Sequence, residues 1–408
     1  MTKFPKEFYW GAATSAHQVE GGNHNDWTEW EKEKSKIKNQ NAKLRKWPDY
    51  ILNPPAGGPN PLQEENYISG RACDHYRRFQ DDFDIAKSLG QNAHRFSVEW
   101  SRIEPEEGKF SEKEIEHYRE VIKALRERGI EPFVTLWHWT LPLWVRDQGG
   151  WNSSKTIDDF VRYCRHIARA LPDVRYWVVL NEPGSWAAHA YLFGLYPPQR
   201  MNIFMLARVY FHLRQAQRQS YLALKKINGA LQVGISESME WYRPFWARVL
   251  VNYLRNFYFL QKTKSYFDFV GLNYYRSRFL FGRGQKSDTG WRIYPEALYR
   301  FLKRAGALGK PVFVTENGIA DARDGRRAEF IREHLHQIER ALRDGVDVRG
   351  YFHWSLLDNF EWDFGFWPRF GLVEVDYSTQ ERRIRRSAYL YRDIIKLHEV
   401  GLHEVNEK

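Results

Sequence analysis

Short, nearly uninterrupted apolar runs recur eight times along the chain, each followed by a stretch whose apolar positions repeat at helical spacing. The runs are Phe8–Thr14, Asn92–Val98, Glu131–Trp137, Tyr176–Leu180, Gln232–Ser236, Phe267–Asn273, Pro311–Thr315 and Val348–Trp354. Runs apolar on both faces suit parallel strands covered from both sides. The helical stretches are Asp74–Leu89, Glu112–Arg128, Lys155–Ala170, Ile203–Lys226, Arg243–Lys262, Pro295–Ala307, Arg326–Asp344 and Arg385–Glu399. In the second, Ile115, Tyr118, Ile122 and Leu125 make one stripe that stops at Gly129; Ile331, Leu335, Ile338 and Leu342 do the same before Gly345. Eight strand–helix units with no run of hairpins predict a closed parallel (β/α)8 barrel, a TIM barrel, folded as a single domain over residues 1–408. A doubly wound open sheet shares the alternation, but no glycine-rich dinucleotide fingerprint follows the first strand.

One segment breaks the rhythm. Residues 21–69 are polar and include Asn53-Pro54-Pro55-Ala56-Gly57-Gly58-Pro59-Asn60-Pro61, which is incompatible with regular structure. The reading is a long loop after the first strand, which in a barrel lies over the active-site face; loops of this length are usually functional or disordered, and its order stays open.

Composition adjusts this picture little. No apolar run reaches the roughly 18 residues that span a bilayer, and the first residues, Met1-Thr2-Lys3-Phe4-Pro5, carry no signal-peptide core. Cys73 and Cys164 both fall in helical patterns with neither disulfide nor metal spacing, so a reduced, cytoplasmic setting is expected. The net charge of +11 raises the question of nucleic acid or an anionic surface. The basic residues are dispersed, however, and no nucleic-acid motif accompanies them, so neither partner is expected. Aromatic residues make up 16% of the chain, and several sit beside polar ones, as in Trp137-His138-Trp139 and Phe366-Trp367. Such rings stack on sugars and also fill cores.

In a barrel, polar residues just after the strands converge on one mouth. They are Gln18, Arg95, His138, Asn181-Glu182, Glu237 (without an assigned role), Asn273-Tyr274-Tyr275, Glu316-Asn317 and Trp354. Glu182 after the fourth strand and Glu316 after the seventh would face each other, as an acid/base and a nucleophile flanking a glycosidic bond must. Bland readings stand beside these: Glu182 near a helix start serves the helix dipole, Asn273 caps a helix, and His138 is a satisfied core residue. Arg95 is harder to dismiss, since a cation in a barrel mouth requires a carboxylate partner.

The chain resembles glycoside hydrolase family 1, the β-glucosidase family, nearly end to end. The resemblance is carried by Phe8-Tyr9-Trp10-Gly11-Ala12-Ala13-Thr14-Ser15, Gln18-Val19-Glu20-Gly21, Arg95-Phe96-Ser97, Trp100-Ser101-Arg102, His138-Trp139 with Leu141-Pro142, and Gly149-Gly150-Trp151. It continues through Asn181-Glu182-Pro183, Asn273-Tyr274-Tyr275, Thr315-Glu316-Asn317-Gly318 and Trp354-Ser355-Leu356-Leu357-Asp358-Asn359-Phe360-Glu361-Trp362. It implies a retaining, exo-acting β-glycosidase without metal or cofactor, acting on a terminal non-reducing sugar of a small β-glycoside or oligosaccharide. Glu182 would be the general acid/base and Glu316 the nucleophile, with Arg95 and Tyr275 holding Glu316 ionised and Asn181 meeting the sugar 2-OH. Gln18, His138, Trp139, Asn273 and Glu361 would bind the sugar, and Trp354, Trp362 and Phe370 would form the apolar wall.

Two features narrow the subclass. Thioglucosidases of the family lack the acid/base carboxylate, whereas Glu182 is present; phospho-β-glycosidases replace the glutamate that here is Glu361, so an unphosphorylated sugar is implied. Three features depart from the usual pattern. The chain is short between Pro183 and Glu316, which borders the leaving-group side; Asn25-Asp26-Trp27 and Trp30 are similar to the archaeal branch; and Phe366-Trp367-Pro368 is expected to narrow the pocket near the sugar O6. Glucose, galactose and fucose stay open, as does the oligomeric state. The competing classes are an inert sugar-binding barrel and a basic adaptor for an acidic polymer.

Overall fold

The computed structural model describes residues 4–54, 56–243, 252–279 and 284–406. Eight parallel strands close into a barrel in sequence order. They are β1 (Tyr9–Ala13), β2 (Ala93–Ser97), β3 (Glu131–Trp137), β4 (Tyr176–Asn181), β5 (Gln232–Arg243), β6 (Phe269–Phe279), β7 (Val312–Asn317) and β8 (Val348–Trp354). The seam is β8 on β1, in register from Tyr9 opposite Gly350 to Ala13 opposite Trp354. The structure is therefore the (β/α)8 barrel that the alternation predicts.

The differences lie in three places. β5 and β6 run well past Ser236 and Asn273, still paired, until Arg243 lies opposite Phe279. This extension reads Glu237-Ser238-Met239-Glu240-Trp241-Tyr242, a mixture of polar and apolar residues rather than a continuous apolar run, so the pattern that finds barrel strands passes over it.

Residues 21–69 are not loop throughout either. A helix of 18 residues spans Asp26–Lys43, followed by short turns at Asp49–Leu52 and Glu64–Tyr67. Its buried stripe is Trp27, Trp30, Glu31, Ser35, Asn39 and Ala42. The helical spacing is intact, but three members are polar, which hides the stripe from a hydrophobic pattern. Asn25 caps it: the side chain accepts from the Thr28 N–H at 3.0 Å, and the Asn25 N–H donates back to Thr28 Oγ1 at 3.0 Å. Thirdly, the expected helix Arg243–Lys262 falls partly outside the described residues; its described part is a π-helical turn over Tyr253–Phe257 continuing into Tyr258–Thr263.

The barrel interior is filled by rings instead of the branched aliphatic layers that dominate most such barrels. Phe133 stacks on Tyr176 at 4.2 Å, and both meet Phe313 from the far side, at 5.4 and 6.0 Å. Room for these rings comes from glycine: a Cβ at Gly234 would lie 2.3 Å from the Phe269 ring, and one at Gly350 would crowd Tyr9 and Phe313. The floor of the mouth is thus a close-packed aromatic plug. Cys73 and Cys164 are buried free thiols, and no helix among the described residues is long and apolar enough to cross a membrane.

Candidate active site

The carboxyl ends of the strands surround a cavity of about 210 Å³. β4 ends at Asn181, and Glu182 caps the following helix, Pro183–Tyr191, in the left-handed conformation, φ 48° and ψ 46°. Its N–H donates to the Ser236 carbonyl at 2.8 Å, which fixes the bend. Trp139 (φ 80°) and Trp362 (φ 49°) share this unfavourable region and line the same cavity. A non-glycine residue held there costs on the order of 1 kcal/mol or more and persists only where its surroundings over-determine it.

Glu316, on β7, is gripped from two sides. Arg95 Nη1 donates to its Oε1 at 2.5 Å and the Tyr275 hydroxyl to its Oε2 at 2.6 Å. Arg95 is itself fixed by donating through Nε to Thr135 Oγ1 at 3.1 Å and through Nη2 to Asn181 Oδ1 at 2.6 Å. Asn273 Nδ2 donates to Glu182 Oε1 at 2.9 Å and to Asn181 Oδ1 at 3.1 Å, while its Oδ1 accepts from Thr315 at 2.7 Å. One network therefore joins both carboxyls through β2, β4, β6 and β7. Two donors occupy Asn181 Oδ1, so its amide nitrogen faces His138 Nε2 at 3.1 Å. The imidazole then carries its proton on Nδ1, which has no partner among the described residues. Burial and the positive charge of Arg95 hold His138 well below the usual histidine range, so it is neutral.

The two glutamates differ electrically. Burial, then the negative charge of Glu316, pushes Glu182 up to about 7 against the pull of the Asn273 hydrogen bond and the more distant Arg255, and it makes no ion pair among the described residues. Burial also raises Glu316, but the Arg95 charge and the hydrogen bonds from Tyr275, Arg95 and Asn273 all pull it back toward ionisation. Two further buried carboxyls sit high for similar reasons. Glu361 is pushed to about 8 by burial and Glu316, and Glu237 to about 8 by burial, against the pull of Arg255.

The other expected residues divide. His138, Trp139, Asn181, Glu182, Tyr275, Glu316, Trp354, Glu361 and Trp362 all line the cavity. Gln18, Arg95, Asn273 and Phe370 stand behind it. Gln18 Nε2 is committed to the Phe360 carbonyl at 2.8 Å and Asn359 Oδ1 at 3.1 Å, and it reaches Glu361 at 3.4 Å. Phe370 backs the Tyr275 and Trp291 rings at about 6 Å. Phe366 and Trp367 do not narrow the pocket: they pack on Tyr377 and Trp47, and Phe364 takes the place at the rim. Sequence reasoning missed His189, Tyr196, Ser238, Glu240, Arg255, Arg276, Arg278, Trp291 and Asp363, which also line the cavity. Most lie on the β5–β6 extension or the segments facing it.

Comparison with known proteins places this geometry. The family profile described as Glycosyl hydrolase family 1 matches residues 1–250 and 282–400. A 1,4-beta-D-glucan glucohydrolase of Thermotoga neapolitana is 31% identical, the match covering 97% of this chain and 99% of the relative. A beta-galactosidase of Sulfolobus acidocaldarius is 30% identical over 97% and 96%. Among solved structures, a beta-glycosidase from Pyrococcus horikoshii superposes with a TM-score of 0.84 at 35% identity, covering 97% of this chain and 96% of that one. A beta-glucosidase from Thermotoga maritima in complex with deoxynojirimycin gives 0.83 at 30% identity, covering 97% and 99%. The chain belongs to glycosyl hydrolase family 1.

Proposed function

We propose that the protein is a retaining, exo-acting β-glycosidase that hydrolyses terminal non-reducing β-D-glucosyl residues, with galactosyl and fucosyl residues as competing sugars. The observation that carries this is the unequal setting of two buried carboxyls in one cavity: Glu182 pushed up to about 7 with no ion pair among the described residues, Glu316 held by Arg95 and Tyr275. A protonated acid and an ionised nucleophile are the two states that double displacement needs at once.

In this reading Glu182 donates its proton to the glycosidic oxygen as Glu316 attacks the anomeric carbon, releasing the leaving alcohol and forming a glycosyl ester. Glu182, now ionised, takes a proton from water, which opens the ester and returns Glu316 as a carboxylate. Attack frees Glu316 from sharing its charge with Arg95, so Arg95 and Tyr275 also stabilise the carboxylate as it departs again. His138 Nδ1–H and the Glu361 carboxyl offer donors to the sugar hydroxyls, while Trp354 and Trp362 supply its apolar wall. Contacts from the helix Asp26–Lys43 support a place for this segment at the mouth: Trp27 packs on Trp362 at 4.6 Å, and Lys38 pairs with Asp363 at 3.0 Å.

The test is hydrolysis of p-nitrophenyl β-D-glucoside, β-D-galactoside and β-D-fucoside, with the first-formed anomer followed by proton NMR. Release with a β-sugar as initial product is expected. No release above background overturns the enzyme reading, and an initial α-sugar overturns retention.

A further inference from the structure

The cavity is charged asymmetrically, and the asymmetry comes from the β5–β6 extension. Ser238, Met239 and Glu240 of β5 and Arg276 and Arg278 of β6 line it, with Arg255 beside them. Arg276 and Arg278 both meet the same oxygen of Glu240, Oε1, through their Nε atoms, at 2.5 and 2.7 Å. Arg255 Nη2 donates to Ser185 Oγ at 3.1 Å. Glu240 is buried, yet Arg276, Arg255 and Arg278 overcome the burial and hold it down to about 2. Glu237, at about 8, adds no charge near neutrality, and Asp363 is paired with Lys38. One ionised carboxylate thus faces three guanidiniums at this end. A single bidentate arginine would satisfy Glu240, so an ion cluster built only to bury it has no need of three.

The terminal amino groups of Arg276 and Arg278 make no hydrogen bond among the described residues, and the Arg276 guanidinium lies over the Trp291 ring, 4.8 Å from its centre. The side chains keep 22% and 56% of their exposure, so the spare donors are reachable from the mouth. Their position relative to the chemistry matters. The acid protonates the leaving oxygen, so groups outward of Glu182 meet the departing alcohol rather than the ring held by His138, Trp354 and Glu361.

Resting on the glycosidase reading above, we infer that Arg276 and Arg278 form a subsite for an anionic leaving group, one bearing a carboxylate or similar oxyanion. Trp291 would stack beneath its apolar part, and the guanidinium edges unpaired among the described residues would take its charge.

The experiment compares p-carboxyphenyl β-D-glucoside with its p-carbamoylphenyl analogue in wild type, Arg276→Gln, Arg278→Gln and the double variant. The quantity read is the acid-to-amide ratio of kcat/KM, followed across variants so that the different acidities of the two phenols cancel. Loss of two partly exposed charge-assisted contacts should lower that ratio about tenfold in the double variant. Raising ionic strength should lower the ratio in wild type, which keeps the idea testable if a variant misfolds. A ratio unmoved by both substitutions and salt overturns the subsite while leaving the glycosidase reading intact. Failure of wild type to cleave these compounds, or their galactoside and fucoside counterparts, overturns the glycosidase reading and the subsite with it.

Discussion

Glu182 and Glu316 are the same side chain in two settings, and what separates them is who touches each. Glu182 has an amide donor and a nearby negative charge; Glu316 has a guanidinium and a phenol. The pH dependence follows from that difference. As the proposed acid, Glu182 works only while protonated, so kcat/KM should fall as pH rises through about 7, the value to which burial and Glu316 push it. On the acid side, activity should fall as Glu316 gains a proton. Arg95→Met removes the charge that opposes its protonation, so the acidic limb should move to higher pH, read from a kcat/KM profile; an unmoved limb would detach Arg95 from this role. Removing Glu182 acts on leaving groups unequally. Glu182→Ala should cost about 100- to 10,000-fold on an alkyl or sugar leaving group and much less on dinitrophenyl, which departs without a proton. Equal losses on both would contradict the acid. For the nucleophile, azide should rescue Glu316→Gly and yield the α-glycosyl azide; a β-azide would mean that another group attacks.

At the scale of elements, the barrel and the inner mouth were legible while the outer mouth was not. Glu182, Glu316, Arg95 and Asn273 sit in short segments at the ends of continuous apolar strands, where pattern and position agree. Arg255, Glu240 and Arg276 lie on mixed-polarity segments whose pairing emerges only in three dimensions. The helix Asp26–Lys43 was hidden for a related reason, because its packed face includes Glu31. That carboxylate is fully partnered: it accepts from His17 at 2.8 Å and from the Ser69 N–H and hydroxyl at 2.8 and 2.7 Å. His17 in turn stacks on Trp362 at 5.4 Å. Glu31→Ala would strand a buried imidazole and two donors, which costs about 3–5 kcal/mol in comparable sites. Urea melts should show that loss, and KM for an aryl glucoside should rise as the Trp362 wall loses its support. Asn25→Ala, which removes the cap and a contact to His17, should cost about 1–2 kcal/mol. A change under a few tenths in either variant would mean that the helix is not tied to the barrel through these groups.

For the whole molecule, the cost of the site appears as a dependence of stability on pH. Asp26 and Glu182 are pushed up to about 7, Glu237 and Glu361 to about 8, in each case first by burial. A carboxyl raised in the folded state is protonated in both states below about 4.5 and contributes its full stability there. Between that value and its folded pKa the unfolded chain has ionised and the folded one has not, so stability declines with rising pH, and the decline ends above about 8. Two buried histidines act in the opposite sense: His94, at about 3, and His334, at about 4, withdraw stability only as pH falls below the ordinary imidazole range, whereas His17, raised by Glu31 against its burial, loses its contribution as pH rises. Between pH 6.5 and 8.5 the raised carboxyls and His17 both contribute, so the comparison that isolates one carboxyl is wild type against a variant of it. Glu237 is the cleanest to remove, since one of its oxygens, Oε2, has no hydrogen-bond partner among the described residues and a glutamine keeps its shape. Wild type should lose melting temperature across that window, and Glu237→Gln should lose less, its advantage growing with pH because the variant has no proton to surrender. Parallel curves for the two proteins would mean that Glu237 already carries its charge in the fold, stabilised by Arg255. The excess of guanidinium over carboxylate at the leaving-group end would then shrink by one, and selection for an acidic leaving group would weaken in the same measure.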